Sequence, residues 1–506
     1  MARLGARRRR RIRHLELVGG NGDRLGAYAA PVRGAGRPDA LRAGSDRADR
    51  IRDRGGDRAR VRPGARPPRR GCGTARAPGR GAHRARVDRT RRSHRASVNV
   101  YFHTFGCKAN QYDTALVRQA FSDHGASVVD DLAAADLAVV NSCTVTHESE
   151  AKLRRLVRRL GRGRPAPRTV VMGCAAARDD GAIAALPGVR AVVGGADPAR
   201  VLAAAGLKPT RVDPVLRRFT ANARGWLKIQ DGCDEHCTFC ATTLARGANR
   251  SRGIPELVAE ARALAEHHAE IVLTGVHIGT YGKDRERGNG KGEGCSLGDL
   301  VEALVSAVPV VRFRLSSIEA TEVDDTIAGL LIEAPRNLAA HLHAPLQSGS
   351  NRVLKRMGRH WYTAESYRAR LDWIAARLPA FGLGADILAG FPGETDDDHG
   401  ATMALVAALP FTYLHVFPYS ERPGAAAARL GAPVPPRVLH QRALELRELG
   451  DTKARRHHAG RVGQRADGVV SGHAAGKVEV LTQDYVSVYL PTQEWDGSAR
   501  FEVTIR

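Results

Sequence analysis

Residues 232–241 read GCDEHCTFCA, and their cysteines Cys233, Cys237 and Cys240 follow the spacing C-x-x-x-C-x-x-C. Three thiolates at this spacing can bind three corners of one [4Fe-4S] cube and leave the fourth iron without a protein ligand. A cluster that only transfers electrons normally takes four cysteines, whereas an open coordination position is typical of a catalytic metal site. The stretch therefore predicts an iron–sulfur site at which chemistry occurs. A structural disulfide and a zinc site are the alternatives, although no fourth ligand follows at C-x-x-C spacing.

The cysteine loop follows the first of six strand-like runs that alternate with helical patterns over residues 211–455. Six β/α units predict an open (β/α)6 partial barrel, because a closed barrel of TIM type has eight. Chemistry in such barrels takes place at the carboxyl ends of the strands. The runs are Trp226–Gln230, Ile271–Thr274, Val311–Ser316, His341–Ala344, Ala385–Leu388 and Tyr413–Phe417.

Small and polar residues follow the later strands of this region and are candidates for cofactor contacts at the same mouth. Such residues usually only turn the chain, but here they recur on successive strands. Phe239, inside the cysteine loop, suits either adenine stacking or packing of the loop itself. The other candidates are Thr274 and Gly275 at the second strand, Ser316 and Glu319 after the third, and Gln347 after the fourth.

Residues 98–210 also alternate apolar runs with helical patterns, which predicts an α/β domain with a parallel sheet covered by helices. Its four predicted strands are 98–106, 137–141, 169–173 and 191–194. Cys107, Cys143 and Cys174 each come just after a predicted strand. The carboxyl ends of parallel strands open onto one crevice, so these thiols could converge on a second three-thiolate cluster. Each of them alone is also typical of a buried apolar cysteine. The helix predicted over 148–160 carries five basic residues, which suit either a solvated face or a nucleic-acid backbone contact.

Short β-rich runs in residues 460–506, separated by Gly, Asp and Gln, predict a small β-barrel. Barrels of this size often bind RNA, and a capping domain is the alternative. Basic residues are not clustered in this segment, so composition alone does not indicate RNA binding there.

Residues 1–97 differ in composition from the rest of the chain. They contain 29 Arg, no Lys, 8 acidic residues and a single Phe, Trp or Tyr, so most of the net charge of +26 lies there. Such a segment cannot bury enough apolar surface to fold, and we expect it to be disordered. We interpret it as upstream sequence translated from a misassigned start in a GC-rich gene. An Arg-rich RNA-binding arm and a targeting peptide are the alternatives.

The eight cysteines occur without a signal peptide, which indicates a reducing cytoplasm and thiolate use rather than disulfides. No apolar run reaches the roughly 18 residues that a membrane span needs. We therefore expect a soluble, cytoplasmic protein with no membrane partner.

Residues 98–506 resemble the methylthiotransferases of the radical S-adenosylmethionine superfamily, which consist of an N-terminal cysteine domain, a radical barrel and a C-terminal TRAM domain. Within that family they are most similar to the threonylcarbamoyladenosine tRNA branch. One departure is ATTLARG at residues 241–247, where the family usually has an Ile-Pro-type segment before Arg-Gly; Arg246 is a candidate partner for a carboxylate of the cofactor. The resemblance is carried by GCKANQYDT, TGVHIGTYG, RLSSIEA, HLHAPLQSGSNRVLKRM and LHVFPYSERPG.

The resemblance implies an auxiliary [4Fe-4S] cluster on Cys107, Cys143 and Cys174, the auxiliary trio. It implies a second [4Fe-4S] cluster, which binds S-adenosylmethionine, on Cys233, Cys237 and Cys240, the radical trio. We expect the two sites to face one another across a domain boundary.

The implied reaction converts N6-threonylcarbamoyladenosine at position 37, in the anticodon loop of tRNA, to its 2-methylthio derivative. An electron donor and a sulfur source, which the sequence does not identify, would also be needed. Isopentenyladenosine in tRNA and a ribosomal protein are the alternative substrates, and a metal-stabilised RNA-binding protein is the alternative outside the enzymes.

Overall fold

The fold was obtained as a computed structural model. Its helices include none that is both long enough and apolar enough to cross a membrane, within the residues described. The predicted leader, apart from Ser97, lies outside those residues. The structure describes residues 97–163, 165–219, 223–286, 295–333, 336–474 and 476–506.

The first folded part is the predicted parallel sheet with helices, and it has five strands in the order β2-β1-β3-β4-β5. The sheet has one more strand than predicted, the short β2. Its strands are β1 Asn99–Thr104, β2 Ser127–Val129, β3 Leu137–Ser142, β4 Arg168–Gly173 and β5 Val189–Gly194, and its helices are α1 Lys108–Asp123, α2 His147–Leu160 and α3 Pro198–Ala204.

Local sequence explains these elements. The central strand β3, LAVVNS, is buried along its whole length, as expected for a parallel strand covered on both faces. Helix α2 begins at a capping threonine, Thr146, whose side chain accepts a hydrogen bond from the Ser149 amide. Its apolar residues Leu153, Leu156 and Leu160 recur at helical spacing and are all buried.

Each of the six strands predicted for the second part has a counterpart, and they form two parallel sheets of three strands. Single parallel bridges between Phe313 and Leu338 and between Ser317 and His343 connect the two sheets. A short antiparallel pair, β7 Gln230–Asp231 and β8 Arg250–Ser251, flanks the cysteine loop. One sheet contains β6 Gly225–Lys228, β9 Glu270–Thr274 and β10 Arg312–Leu315, and the other contains β11 His341–His343, β12 Gly382–Ala389 and β13 Tyr413–Pro418.

Helices cover one face of these two sheets and enclose the main apolar core with alternate strand residues such as Phe313 and Ile387. The residues between them, such as Arg314 and Asp386, lie on the opposite face because strand side chains alternate; we call this the inner face. The helices of this part are α4 Thr242–Arg246, α5 Ile254–Ala265, α6 Lys283–Glu286, α7 Leu297–Ala307, α8 Asp325–Glu333, α9 Asn351–Arg356, α10 Ala364–Ala375, α11 Asp396–Ala408 and α12 Pro436–Arg461.

The C-terminal part is an antiparallel sheet in the order β16-β15-β14-β17, with an apolar core of its own. Its curl is consistent with a half-barrel, and among the described residues β16 and β17 are its two edges. Its strands are β14 Arg465–Ala474, β15 Lys477–Thr482, β16 Ser487–Pro491 and β17 Arg500–Thr504.

This C-terminal sheet is hydrogen-bonded to the inner face at the amino-terminal ends of its strands. Arg312 and Arg314 both pair with the buried Glu270, and their guanidinium groups donate to the backbone oxygens of Leu481 and Thr482, 2.9 Å away in each case. The sheet therefore covers the amino-terminal ends of the strands, which leaves chemistry to the opposite end.

Candidate active site

The auxiliary trio converges at the carboxyl ends of β1, β3 and β4. The Oδ1 atom of Asn110 lies 3.5 Å from the Cys107 sulfur and 3.9 Å from the Cys174 sulfur. A Cβ atom placed on Gly106 would lie 3.0 Å from the Cys143 sulfur. The three cysteines that the sequence selects are therefore neighbours around one site.

The radical trio lies in the loop between β7 and α4. A turn joins Cys237 and Cys240, where the amide of Cys240 donates to the oxygen of Cys237 over 3.1 Å. The amide of Cys233 donates to the oxygen of Gly247, and the amide of Thr242 lies 3.3 Å from the Cys240 sulfur. This loop is thus held by its own backbone at the mouth of the inner face.

Both trios contain a thiol whose surroundings disfavour the thiolate form. Burial raises the pKa of Cys143 and of Cys237 to about 12. As ligands these thiols must lose their protons, so a metal charge is needed to stabilise them.

Glu319, which the sequence predicts as a cofactor contact, lies beside the radical trio. Its carboxylate pairs with Arg359, whose Nη1 lies 3.7 Å from the Cys237 sulfur. The side chain is 7 % exposed, and its Oε2 atom is buried without a hydrogen-bond partner. A buried acceptor left unpaired is rare in native proteins, so the site suits a ligand that carries a donor group such as an amine.

Gln347 and Ser316 lie on neighbouring strand ends at the same mouth. Gln347 has a positive φ of 64°, which is unusual for a residue other than glycine and is often found at functional sites. Its backbone amide donates to the backbone oxygen of Asp386 over 2.8 Å, and the backbone amide of Ser316 donates to the backbone oxygen of Leu273. Their cofactor contacts stay predictions.

The remaining candidates have structural roles that the sequence did not separate from ligand binding. A Cβ atom on Gly275 would lie 2.7 Å from Oε1 of Gln230, so the close chain approach there is made by the protein itself. Thr274 is buried in β9. Phe239 packs against an apolar cluster that includes Met357 and Phe391, as the packing alternative expects.

Arg246 contacts side chains of both cysteine-bearing parts, and its contact with a carboxylate of the cofactor stays a prediction. Its Nε donates to the Cys174 sulfur over 3.2 Å, and its Nη1 and Nη2 lie 2.8 and 3.0 Å from the carboxylates of Asp231 and Asp113. The carboxylates beside it are therefore supplied by the chain. Because Asp113 belongs to the first part and Asp231 precedes the radical trio, this guanidinium connects the two cysteine sites.

Two residues near the radical trio, His277 and Arg359, were not among the candidates chosen from the sequence. Nδ1 of His277 lies 3.7 Å from the Cys233 sulfur, and its Nε2 lies 3.0 Å from Glu322. Burial lowers the pKa of His277, but the hydrogen bonds to Cys233 and Glu322 outweigh it and raise the pKa to about 10. His277 lies inside the stretch TGVHIGTYG, so the family resemblance could have indicated it. Arg359 lies two residues beyond the stretch HLHAPLQSGSNRVLKRM.

Comparison with known proteins supports the radical S-adenosylmethionine class that the cysteine loop indicates. The Radical SAM superfamily model matches residues 227–406, and the model of the Uncharacterized protein family UPF0004 matches residues 99–194. A solved structure, the radical S-adenosylmethionine methyltransferase TsrM from Kitasatospora setae, has a TM-score of 0.50 at 15% identity and covers 65% of this chain and 77% of its own. That likeness concerns the fold alone. Fold, cysteine loop and family model together define a radical S-adenosylmethionine enzyme, which implies S-adenosylmethionine and a [4Fe-4S] cluster.

Curated relatives narrow the class. The threonylcarbamoyladenosine tRNA methylthiotransferase MtaB of Bacillus subtilis is 38% identical over 378 residues, which cover 71% of this chain and 82% of the relative. MtaB of Aquifex aeolicus is 31% identical and covers 77% of this chain and 96% of its own length. The tRNA-2-methylthio-N(6)-dimethylallyladenosine synthase of Acidithiobacillus ferrooxidans is 33% identical, with 76% and 88% covered. The chain belongs to the radical S-adenosylmethionine methylthiotransferase family, and within it to the MtaB type.

Proposed function

We propose that this protein converts N6-threonylcarbamoyladenosine at position 37 of tRNA to its 2-methylthio derivative. The observation that carries the proposal is the pair of three-thiol sites connected through Arg246. The MtaB relatives, at 38% and 31% identity over most of their length, support the substrate.

The reaction explains the need for two sites. Carbon 2 of adenine carries a C–H bond that no acid or base can ionise readily. When bound, the two [4Fe-4S] clusters and S-adenosylmethionine supply the radical that removes this hydrogen and the sulfur that replaces it. The chain's own task is to hold the reactants close together in a site that excludes water.

Particular residues serve that task. The radical trio would hold one cluster and the auxiliary trio the other. Glu319 Oε2, buried and unpaired, would accept a hydrogen bond from the amino group of S-adenosylmethionine, and Arg359 holds that carboxylate in place. Gln347 and Ser316 would line the same mouth.

We assign residues 98–210 to the auxiliary-cluster domain, residues 211–455 to the radical domain and residues 460–506 to a TRAM-like RNA-binding domain. The last assignment is supported by the four-stranded antiparallel sheet. The partners would be the anticodon loop of tRNA, an electron donor and a sulfur source, all in the cytoplasm.

Nucleoside mass spectrometry of tRNA tests the substrate. A strain that lacks the gene should lose 2-methylthio-N6-threonylcarbamoyladenosine, and the wild-type gene should restore it. Cys107→Ala and Cys233→Ala should fail to restore it, whereas the matched control Cys295→Ala, outside both trios, should succeed. An unchanged level of this nucleoside, or loss of the isopentenyl derivative instead, would refute the assignment.

Anaerobic iron, sulfide and zinc analysis tests the two clusters. Two [4Fe-4S] clusters require about eight irons per chain, and each single-trio variant should retain about half. Zinc without iron would favour the metal-stabilised RNA-binding protein.

A further inference from the structure

Three side chains outside both cysteine sites form a connected group on the inner face. Oδ1 of Asp386 lies 2.9 Å from Nε2 of His343 and 3.2 Å from Nδ1 of His415. They come from the neighbouring strands β11, β12 and β13, and we call them the inner triad. The backbone oxygen of Asp386 accepts a hydrogen bond from the backbone amide of Gln347. This contact places the triad next to a residue assigned to the S-adenosylmethionine site.

The buried end of the inner triad is fixed by a chain of contacts. Nδ1 of His343 lies 3.0 Å from the hydroxyl of Tyr413, and that hydroxyl lies 2.9 Å from Nε2 of His341. The ring of His341 stacks on Tyr485 of the C-terminal sheet at 4.4 Å. His343 therefore has its orientation set from the side opposite to the cysteine sites.

The other end of the inner triad is open. His415 is 50 % exposed and Asp386 is 23 % exposed. Among the described residues, neither Oδ2 of Asp386 nor Nε2 of His415 has a hydrogen-bond partner. Burial raises the pKa of Asp386, but the imidazoles of His343 and His415 outweigh it and hold the pKa below its ordinary value. A charged acceptor and an imidazole nitrogen thus lie side by side at the edge strand β13, free to meet a ligand.

We propose that the inner triad reads the N6-acyl group of the substrate adenosine. Oδ2 of Asp386 accepts an N–H of the carbamoyl group, and Nε2 of His415 contacts the carboxylate or hydroxyl of the attached threonine. His343 is a positioning residue that holds the carboxylate of Asp386. This inference rests on the proposed function and adds the residues that select the substrate.

The chemistry of the two candidate nucleosides favours this assignment. A threonylcarbamoyl group offers N–H donors, a hydroxyl and a carboxylate, whereas an isopentenyl group is apolar beyond its single N–H. Docking the apolar group would leave Asp386 and His415 desolvated and unpaired, and a site built for hydrogen bonds strongly rejects an analogue that lacks them. The triad therefore supplies discrimination between otherwise similar anticodon loops.

Equilibrium binding with three synthetic anticodon stem-loops tests the inference. They differ only at position 37, which carries N6-threonylcarbamoyladenosine, N6-isopentenyladenosine or unmodified adenosine. The cluster-loaded full chain should bind the first at least about tenfold more tightly than the other two, the size of one charge-assisted hydrogen bond. His415→Ala and Asp386→Asn should reduce this preference to nearly one without weakening binding of the unmodified loop.

The control is His399→Ala, which breaks another histidine–carboxylate pair, with Glu445 on α12. It should keep the wild-type preference, and all variants should keep the wild-type iron content. A preference that survives in both triad variants overturns the inference but leaves the proposed function intact. No preference in the wild type also overturns the inference, whereas the proposed substrate is refuted only if a strain that lacks the gene keeps 2-methylthio-N6-threonylcarbamoyladenosine. One zinc per wild-type chain that His415→Ala removes would show a metal site instead and also overturn it.

Discussion

At the scale of single residues, the auxiliary trio depends on a glycine as well as on its cysteines. Gly106 has a φ of +100°, and a Cβ atom there would lie 2.8 Å from the Cβ of Cys143. Side chains other than glycine rarely adopt this backbone conformation. The residue before Cys107 therefore sets how closely two of the three cysteines approach.

Gly106→Ala should displace Cys143 and remove the auxiliary cluster while the radical cluster stays. We expect iron to fall from about eight to about four per chain, measured with acid-labile sulfide after anaerobic reconstitution. The matched control is Gly125→Ala, also at positive φ (+82°) but with nothing within 4 Å of the added Cβ. It should cost about 1 kcal/mol of stability and no iron. Equal iron in the two variants would contradict this role of Gly106.

At the scale of elements, the sequence predicted the strands well because they are apolar runs. All three strands that carry the auxiliary trio, and all six of the second part, lie where the pattern indicates. Strand β2 was missed, since SVV at Ser127–Val129 is short and only partly buried. Helix α3 was missed because its seven residues show too little periodicity.

Contacts between distant elements could not be predicted in the same way. Arg246 was expected at a cofactor carboxylate, but its partners Asp113 and Asp231 lie 133 and 15 residues away along the chain. Likewise, the strand pattern at RFRL does not show that Arg312 and Arg314 are fully or almost fully buried against Glu270 and the C-terminal sheet. Periodicity shows which residues share a face and does not show what covers it.

The ion pairs of β9 and β10 predict a particular response to pH. Burial raises the pKa of Glu270, but Arg314, Arg312 and Arg224 outweigh it and hold the pKa well below its ordinary value. A depressed folded-state pKa stabilises the fold above the unfolded-state value near 4.5, and this contribution is lost as the pH falls further.

Glu270→Gln should therefore lower the free energy of unfolding by about 3 kcal/mol at pH 7, because it leaves buried arginines without their partner. The difference from wild type should shrink as the pH falls below 4.5, because the carboxyl group of residue 270 is then protonated in the unfolded wild-type chain while it stays ionised in the folded one. Urea unfolding at several pH values measures both. The exposed Glu302→Gln is the control and should differ little from wild type at any pH. A difference for Glu270→Gln that is independent of pH would contradict the ionised pair.

At the scale of the whole molecule, Arg246 connects the two cysteine sites and the C-terminal sheet covers the opposite end of the strands. Helix α2 starts just after Cys143, and its Glu150 pairs with Arg422 of the second part. Its outer face carries Arg154 and Arg158, which are exposed and have no ion-pair partner among the described residues. A tRNA whose anticodon loop reaches the auxiliary trio would pass close to this helix.

Arg154→Glu with Arg158→Glu should therefore weaken binding of tRNA about tenfold or more at physiological salt and reduce the slope of log K against log salt by about 2, because two phosphate contacts are lost. The loss should be the same for loops with and without the N6 modification, since phosphate contacts carry no base information. Binding titrations over a range of salt concentrations measure both quantities. Arg437→Glu, an exposed arginine at the start of α12, is the control and should keep the wild-type slope. If the α2 variant also keeps it, these arginines form only a solvated face, and the tRNA must approach the cysteine sites from another side.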